Sequence, residues 1–296
     1  MKDHPLTPEY SRFGTFDMLR ESAREQLKEL ILNLAQHPDA KVSGTIAQKV
    51  SDLYAMGMDE KRLNEEGVAP LKPLLDRIAY ADTSKREELL AWQHGGIGGS
   101  FFNTGVGPDV KNSDIYILHI GEVGLGLGDR DFYLEKSDRN DEILAAYRVY
   151  VKRLMELIGY DDESQNRVWE TVIKIETELA RHMMTREECR DPMNRFHMMS
   201  IEELKDKFPD FNWDEYLRLL NMGNADKTNV ANPGFIDFVT SFIKSLTPQE
   251  IRDFMTFETV SDATGLLSDD FGNASFELYG RVMSGQEERK PRWKRA

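Results

Sequence analysis

A mainly α fold, many helices with one small antiparallel β-hairpin at about residues 100–120, is what this sequence predicts, and three observations carry that expectation. Apolar residues recur at helical spacing over long segments, most cleanly at Ile143, Tyr147, Val151, Leu154 and Ile158, then at Val168, Val172, Ile175, Leu179 and Met183. The periodicity stops in HGGIGGSFFNTGVGPDVKNSDIYILHIGEVGLG, where glycine becomes dense and residues 100–106 and 114–120 read as two strands able to pair. With 40% hydrophobic and 10% aromatic residues, the 296-residue chain can bury one large core or two packed ones, and no apolar run is long enough to cross a bilayer.

The elements follow in order. Residues 1–16, punctuated by Pro5, Pro8 and Gly14, read as an extended arm. Asp17 suits an N-cap for a helix carrying Leu19, Ala23, Leu27, Leu30, Ile31 and Leu34, stopped near His37-Pro38. Residues 42–58 repeat the pattern, and shorter helices are expected at 71–80 and 84–93, the latter with a Ser84/Glu87 capping box. Beyond the strands, the two long helices run over residues 143–158, closed by Gly159, and 163–185. Further helices are expected at 200–208, 214–222, 233–245, 248–266 and 271–283, with Thr247, Pro248 and Glu250 forming a strong start signal.

Composition excludes several functions. The net charge of −14 argues against general affinity for nucleic acid or anionic membrane. Its local exception, RKPRWKR at residues 289–295, reads as a solvated basic helix start. A single cysteine, Cys189, rules out an internal disulfide or cysteine-based zinc cluster and reads as a buried or half-buried small residue. No P-loop, G-x-S-x-G elbow or kinase signature occurs, and GGIGG lacks the Gly-Lys-Ser/Thr of a phosphate cradle. A zinc peptidase needs HExxH, two imidazoles one helical turn apart beside a glutamate base, and none of the six histidines provides it. No catalytic residue and no metal ligand is therefore assigned, and the residues alone give a helical binding or shielding domain.

The most specific string is EVGLGLGDRDFYL, residues 122–134. Three alternate glycines shape a connection, and Asp129, Arg130 and Asp131 can cap a helix or tie the loop to itself. The dinucleotide fingerprint fails because Asp129 stands where G-x-G-x-x-G needs glycine. GLGLGDRDFYL resembles the GLGLPDRDYYL segment of the neprilysin-type zinc metallopeptidases, peptidase family M13, in their amino-terminal helical domain. SRFGTFDMLR, TREECRDP, MMSIEEL and PRWKRA resemble family segments in the family's order and span nearly the whole chain. Three positions depart: Gly128 replaces a usual proline, and Cys189 and His197 replace a charged residue and an asparagine. TREECRDP itself reads as a salt-bridged helix end holding the turn into Ser200.

The resemblance implies that residues 1–296 are a helical lid, trimmed at both ends, of a peptidase whose zinc and catalytic domain lie in a carboxy-terminal part. Partners are then that zinc domain and peptide substrates. This chain alone is expected to be inactive, and the parent is expected to be exported although MKDHPLTPEYS is no signal peptide. The family stretch matching residues 11–20 lines a substrate pocket, so the resemblance assigns substrate contact to Arg12, Asp17 and Arg20. The spacing agrees with a shared surface, since residues three apart on a helix share a face and arginine forks fit carboxylates. A stand-alone helical peptide- or protein-binding module is the alternative.

Overall fold

The computed structural model describes residues 7–12 and 14–295, so residues 1–6, Phe13 and Ala296 of the segments above lie outside it. The chain divides into two compact units, Leu71–Ala263 forming one and the flanking segments Met1–Pro70 and Thr264–Ala296 the other.

The flanking unit begins with α1 (Thr15–Gln36), α2 (Ile46–Met58) and α3 (Glu60–Glu66). Gly14, not Asp17, is the N-cap of α1; Asp17 sits in the first turn and its carboxylate accepts the Gly14 N–H at 2.9 Å. Glutamate and aspartate at that position reach back to the cap backbone, which is why an acidic residue near a helix start does not by itself locate the start. The second helix starts at Ile46 rather than at residue 42, because the Thr45 hydroxyl accepts from Gln48 N (3.1 Å). α3, capped by Asp59, has no counterpart in the sequence expectations.

The central unit opens with α4 (Lys72–Ala79) and α5 (Arg86–His94). Ser84 does not cap α5; its hydroxyl donates to Asp82 (2.7 Å), so the expected capping box does not form. β1 (Phe102–Asp109) and β2 (Asn112–Glu122) pair antiparallel as expected, with Gly105 opposite His119. α6 (Asp131–Leu134) follows, then α7 (Asp138–Leu157), ended by Gly159 at φ +92°, and α8 (Asp162–His182). β3 (Met198–Ser200), α9 (Ile201–Lys207), α10 (Trp213–Leu219), β4 (Lys227–Val230), α11 (Pro233–Ser245) and α12 (Pro248–Ala263) complete it. The hairpin belongs to a larger sheet of order β1-β2-β4-β3, β2 and β4 running parallel, β3 and β4 antiparallel.

The core lies between α7, α8 and α12, where Tyr147, Leu154, Val172, Ile175, Phe257 and Val260 are wholly buried. Each such side chain contributes about 1.5–3 kcal/mol on leaving water. A second aromatic cluster closes the other end: Phe102 lies 5.4–5.7 Å from Phe211, Tyr216 and Trp213. His94 belongs to it, its Nδ1 2.6 Å from the Tyr216 hydroxyl and its Nε2 2.9 Å from the Ser100 carbonyl. Burial lowers its pKa, so this imidazole is a neutral strut.

The chain then returns to the flanking unit with α13 (Asp269–Ser275), which runs on as π-helix over Phe276–Met283 where one α-helix was expected. The basic segment after it is not a solvated helix start. Arg292 is buried, donating to the carbonyls of Gly57 (2.7 Å) and Gly265 (3.5 Å). Lys294 pairs with Glu9 (2.9 Å) and Glu21 (2.8 Å), and Arg289 with Asp269 (3.2 Å). Burial would raise the Glu21 carboxyl, but Lys294, Tyr10 and Arg24 bring it down to about 2. The arm is likewise held, since the Pro8 carbonyl accepts from Glu287 N and Glu288 N (3.1 and 3.0 Å). Gly57, Glu9, Glu21 and Pro8 lie more than two hundred residues from these partners, and helical periodicity carries no trace of such contacts.

Candidate functional site

Asp17 and Arg20 lie in the first turns of α1, and Arg12 lies on the arm before it. Asp17 Oδ1 lies 3.5 Å from Arg20 Nη1, with the Arg20 side chain 59% exposed and that of Asp17 21% exposed. Arg12 is exposed on the arm just before. Asp17 thus fixes the arm-to-helix junction through Gly14 N and turns Arg20 outward. Phe16, beside them, is 81% exposed, so the group presents two guanidinium forks next to an apolar ring. At this exposure the Asp17–Arg20 pair adds little stability.

The glycine string is anchored from beneath by a buried carboxylate. Glu176 of α8, 1% exposed, accepts from Gly126 N (2.8 Å) and from the Tyr133 hydroxyl (3.0 Å), which in turn accepts from Leu127 N (2.9 Å). Gly126 is required here by space: a Cβ would fall on the Tyr147 hydroxyl and 3.0 Å from Glu176 Oε1. At Gly128, φ is +77° and the N–H donates to Leu125 O (2.8 Å); a proline ring can supply neither. Replacing the family's proline therefore closes this turn in its own way. Asp129 accepts from Asp131 N (2.9 Å) and pairs with Arg186, while Arg130 Nε donates to Ala180 O (3.1 Å).

Burial pushes the Glu176 carboxyl up to about 7, against the donors Gly126 N, Tyr147 and Tyr133. Glu258 of α12 is raised too, first by burial and then by the charges of Glu176 and Asp262. A raised acid binds its proton more tightly folded than unfolded, so between about pH 4.5 and 7 the contribution of Glu176 to stability falls as pH rises. The variant Glu176→Gln is expected to flatten the decline of Tm between pH 5 and 7.5, measured by thermal melts across that range. An unchanged slope would show that Glu176 does not titrate there.

Above the string lies a cleft of about 830 Å³ in the central unit. One face of the sheet carries Leu118, Ile120 and Val230, all buried. The opposite face carries Asn103, Gly105, Gly107, His119 and Gly121, and this is the floor of the cleft. Met184, Cys189 and Arg195 line its far wall. Glu122 knots floor to wall, its Oε1 accepting from Met184 N (2.8 Å) and from Asn232 Nδ2 (2.6 Å).

Cys189 is exposed, not buried or half-buried as expected, because the TREECRDP segment folds as short 3₁₀ turns on the surface. Thr185 caps those turns through Glu188 (2.7 Å from Thr185 N), and Arg186 reaches out to Asp129 of the glycine string. Sequence reasoning missed the cleft and the Glu176 anchor. The only available signal was the density of glycines at 105, 107, 121, 124 and 126.

Among the described residues no three histidine, cysteine, aspartate or glutamate side chains converge as metal ligands. Neither is any helix among them long and apolar enough to cross a membrane.

A model of the amino-terminal part of peptidase family M13 matches residues 1–296, the whole chain. The chain belongs to peptidase family M13. Endothelin-converting enzyme 1 of Rattus norvegicus is 27% identical over 99% of this chain and 39% of its own length. The endothelin-converting enzyme homolog of Locusta migratoria is 24% identical over 98% of this chain and 42% of its own. The chain thus spans about two fifths of the curated relatives it matches. Among solved structures, the zinc metalloprotease Zmp1 of Mycobacterium tuberculosis in complex with inhibitor superposes with a TM-score of 0.88 at 26% identity, covering 99% of this chain and 44% of that one. PepO of Lactobacillus rhamnosis superposes at 0.81 with 19% identity, a likeness of fold alone. The mainly helical fold and the family read from the sequence both stand.

Proposed function

We propose that this chain is the non-catalytic, substrate-enclosing half of a zinc-dependent peptidase, working against a carboxy-terminal domain that carries the zinc and the general base. The observation that carries this reading is the length relation: Zmp1 matches this chain end to end, yet more than half of Zmp1 has no counterpart here. The chain's lack of HExxH agrees with a division of labour in which it supplies walls and contacts. A second support is the surface of the flanking unit. α1 buries no residue, and Leu19, Leu27, Leu30, Ile46, Leu53 and Met56 are all more than half exposed. Apolar helix faces of that extent belong against a partner. The parent protein acts on peptides after export, and residues 1–296 form its lid.

Arg12 and Arg20 bind the substrate's carboxylate and Asp17 holds Arg20 in place. With a separately produced zinc domain added, Arg12→Ala is expected to raise KM roughly 10- to 100-fold for peptides with a free carboxylate beyond the cut bond, the loss of a charge-assisted pair of hydrogen bonds. Carboxamide versions of those peptides should change little. Equal effects on both would remove Arg12 from the carboxylate site.

A further inference from the structure

We propose that the glycine-floored cleft over the sheet is itself a binding site for extended peptide segments that end in a free carboxylate, an inference that rests on the peptide-handling role given above. Its floor is backbone. A Cβ at Gly105 would meet nothing within 4 Å, so the space above it is open, whereas one at Gly121 would meet the Ala231 methyl at 3.4 Å. Gly107 is covered by the His119 ring, 3.3 Å from where its Cβ would stand. Interior glycines weaken strands and mark places where another chain approaches closely.

Most polar groups of the cleft are already engaged. Glu122 is taken by Met184 N and Asn232, and Asn229 accepts from His197 N (2.8 Å) and donates to Arg195 O (3.0 Å). Three groups have no hydrogen-bond partner among the described residues: the Asn103 side-chain amide, Nδ1 of His119 and the Arg195 guanidinium. His119 Nε2 is held by the Pro108 carbonyl at 3.1 Å, which leaves Nδ1 to accept an N–H. A primary amide that donates and accepts matches a peptide group, and a guanidinium fork matches a carboxylate.

Val110, 66% exposed, supplies apolar contact along the cleft. The volume of about 830 Å³ lies within the roughly 300–1,000 Å³ of ligand sites. Backbone floor, one amide, one acceptor and one cation in an open trough suit a chain lying flat.

The test is fluorescence anisotropy with two probes, fluorescein-labelled Ala-Val-Thr-Val-Ala-Leu as free acid and as carboxamide, titrated with chain 1–296. The free acid should bind at least tenfold more tightly than the carboxamide. Gly105→Val should weaken both at least tenfold, Arg195→Ala should bring the acid down to the carboxamide, and Arg153→Ala on the exposed face of α7 should leave both within twofold. Gly105 needs no positive φ, so valine fits the strand; if melts nevertheless show unfolding, Gly105→Ser and Arg195→Ala decide. No binding, equal binding of acid and carboxamide, or binding untouched by both cleft variants would overturn the proposal. The Arg12 dependence of peptidase activity is read in a separate assay, so either inference can fail while the other stands.

Discussion

Replacing Gly126 by alanine is expected to lower the stability of the central unit by about 3 kcal/mol. Two costs add. The new methyl group falls on the Tyr147 hydroxyl and crowds Glu176, an overpacking of a filled interior worth about 1–3 kcal/mol. Relieving it moves the backbone away from Glu176 and stretches the Gly126 N–H bond to that carboxylate, now 2.8 Å, a hydrogen bond of roughly 1.5–3 kcal/mol. At about 2–4 °C per kcal/mol for a unit of this size, Tm should fall by roughly 6–12 °C. Gly124→Ala is the control, because nothing lies within 4 Å of its Cβ position. Equal melting of the two variants would mean the string is not packed against α7 and α8.

Arg292→Ala is expected to loosen the flanking unit by about 2–4 kcal/mol and to leave the central unit untouched. Arg292 is 8% exposed and its guanidinium satisfies two carbonyls, one at the end of α2 and one just before α13. Alanine removes a charge-assisted donor from both, together with the buried side chain that joins them. Hydrogen exchange should therefore speed up in α2 and α13 while α7, α8 and α12 keep their protection. Uniform loss of protection across the chain would assign Arg292 a different role.

What the sequence revealed and what it hid follow one physical division. α7 and α8 were legible because each buries one continuous face, and that burial writes the 3.6-residue pattern into the chain. β1 and β2 were legible through the break in that pattern. β3 and β4, three and four residues long, alternate too briefly to leave one, so the sheet was underestimated as a hairpin. Caps misled where the polar side chain bonds elsewhere than as the cap, as Asp17 does to Gly14 N and Ser84 does to Asp82. Contacts of long sequence separation were invisible: Arg292 to Gly57, Lys294 to Glu9, Glu176 to Gly126. The glycines of the string could be named as shaped, but only Tyr147 and Glu176 explain which one cannot change.

The central claim is the division of labour, and hydrolysis of a fluorogenic peptide by purified chain 1–296, alone and with a separately produced zinc domain, tests it most directly. The account predicts no bound zinc and no hydrolysis by the chain alone, then hydrolysis on mixing that a chelator abolishes. Stoichiometric zinc in the isolated chain, or chelator-sensitive hydrolysis by it, would contradict the claim.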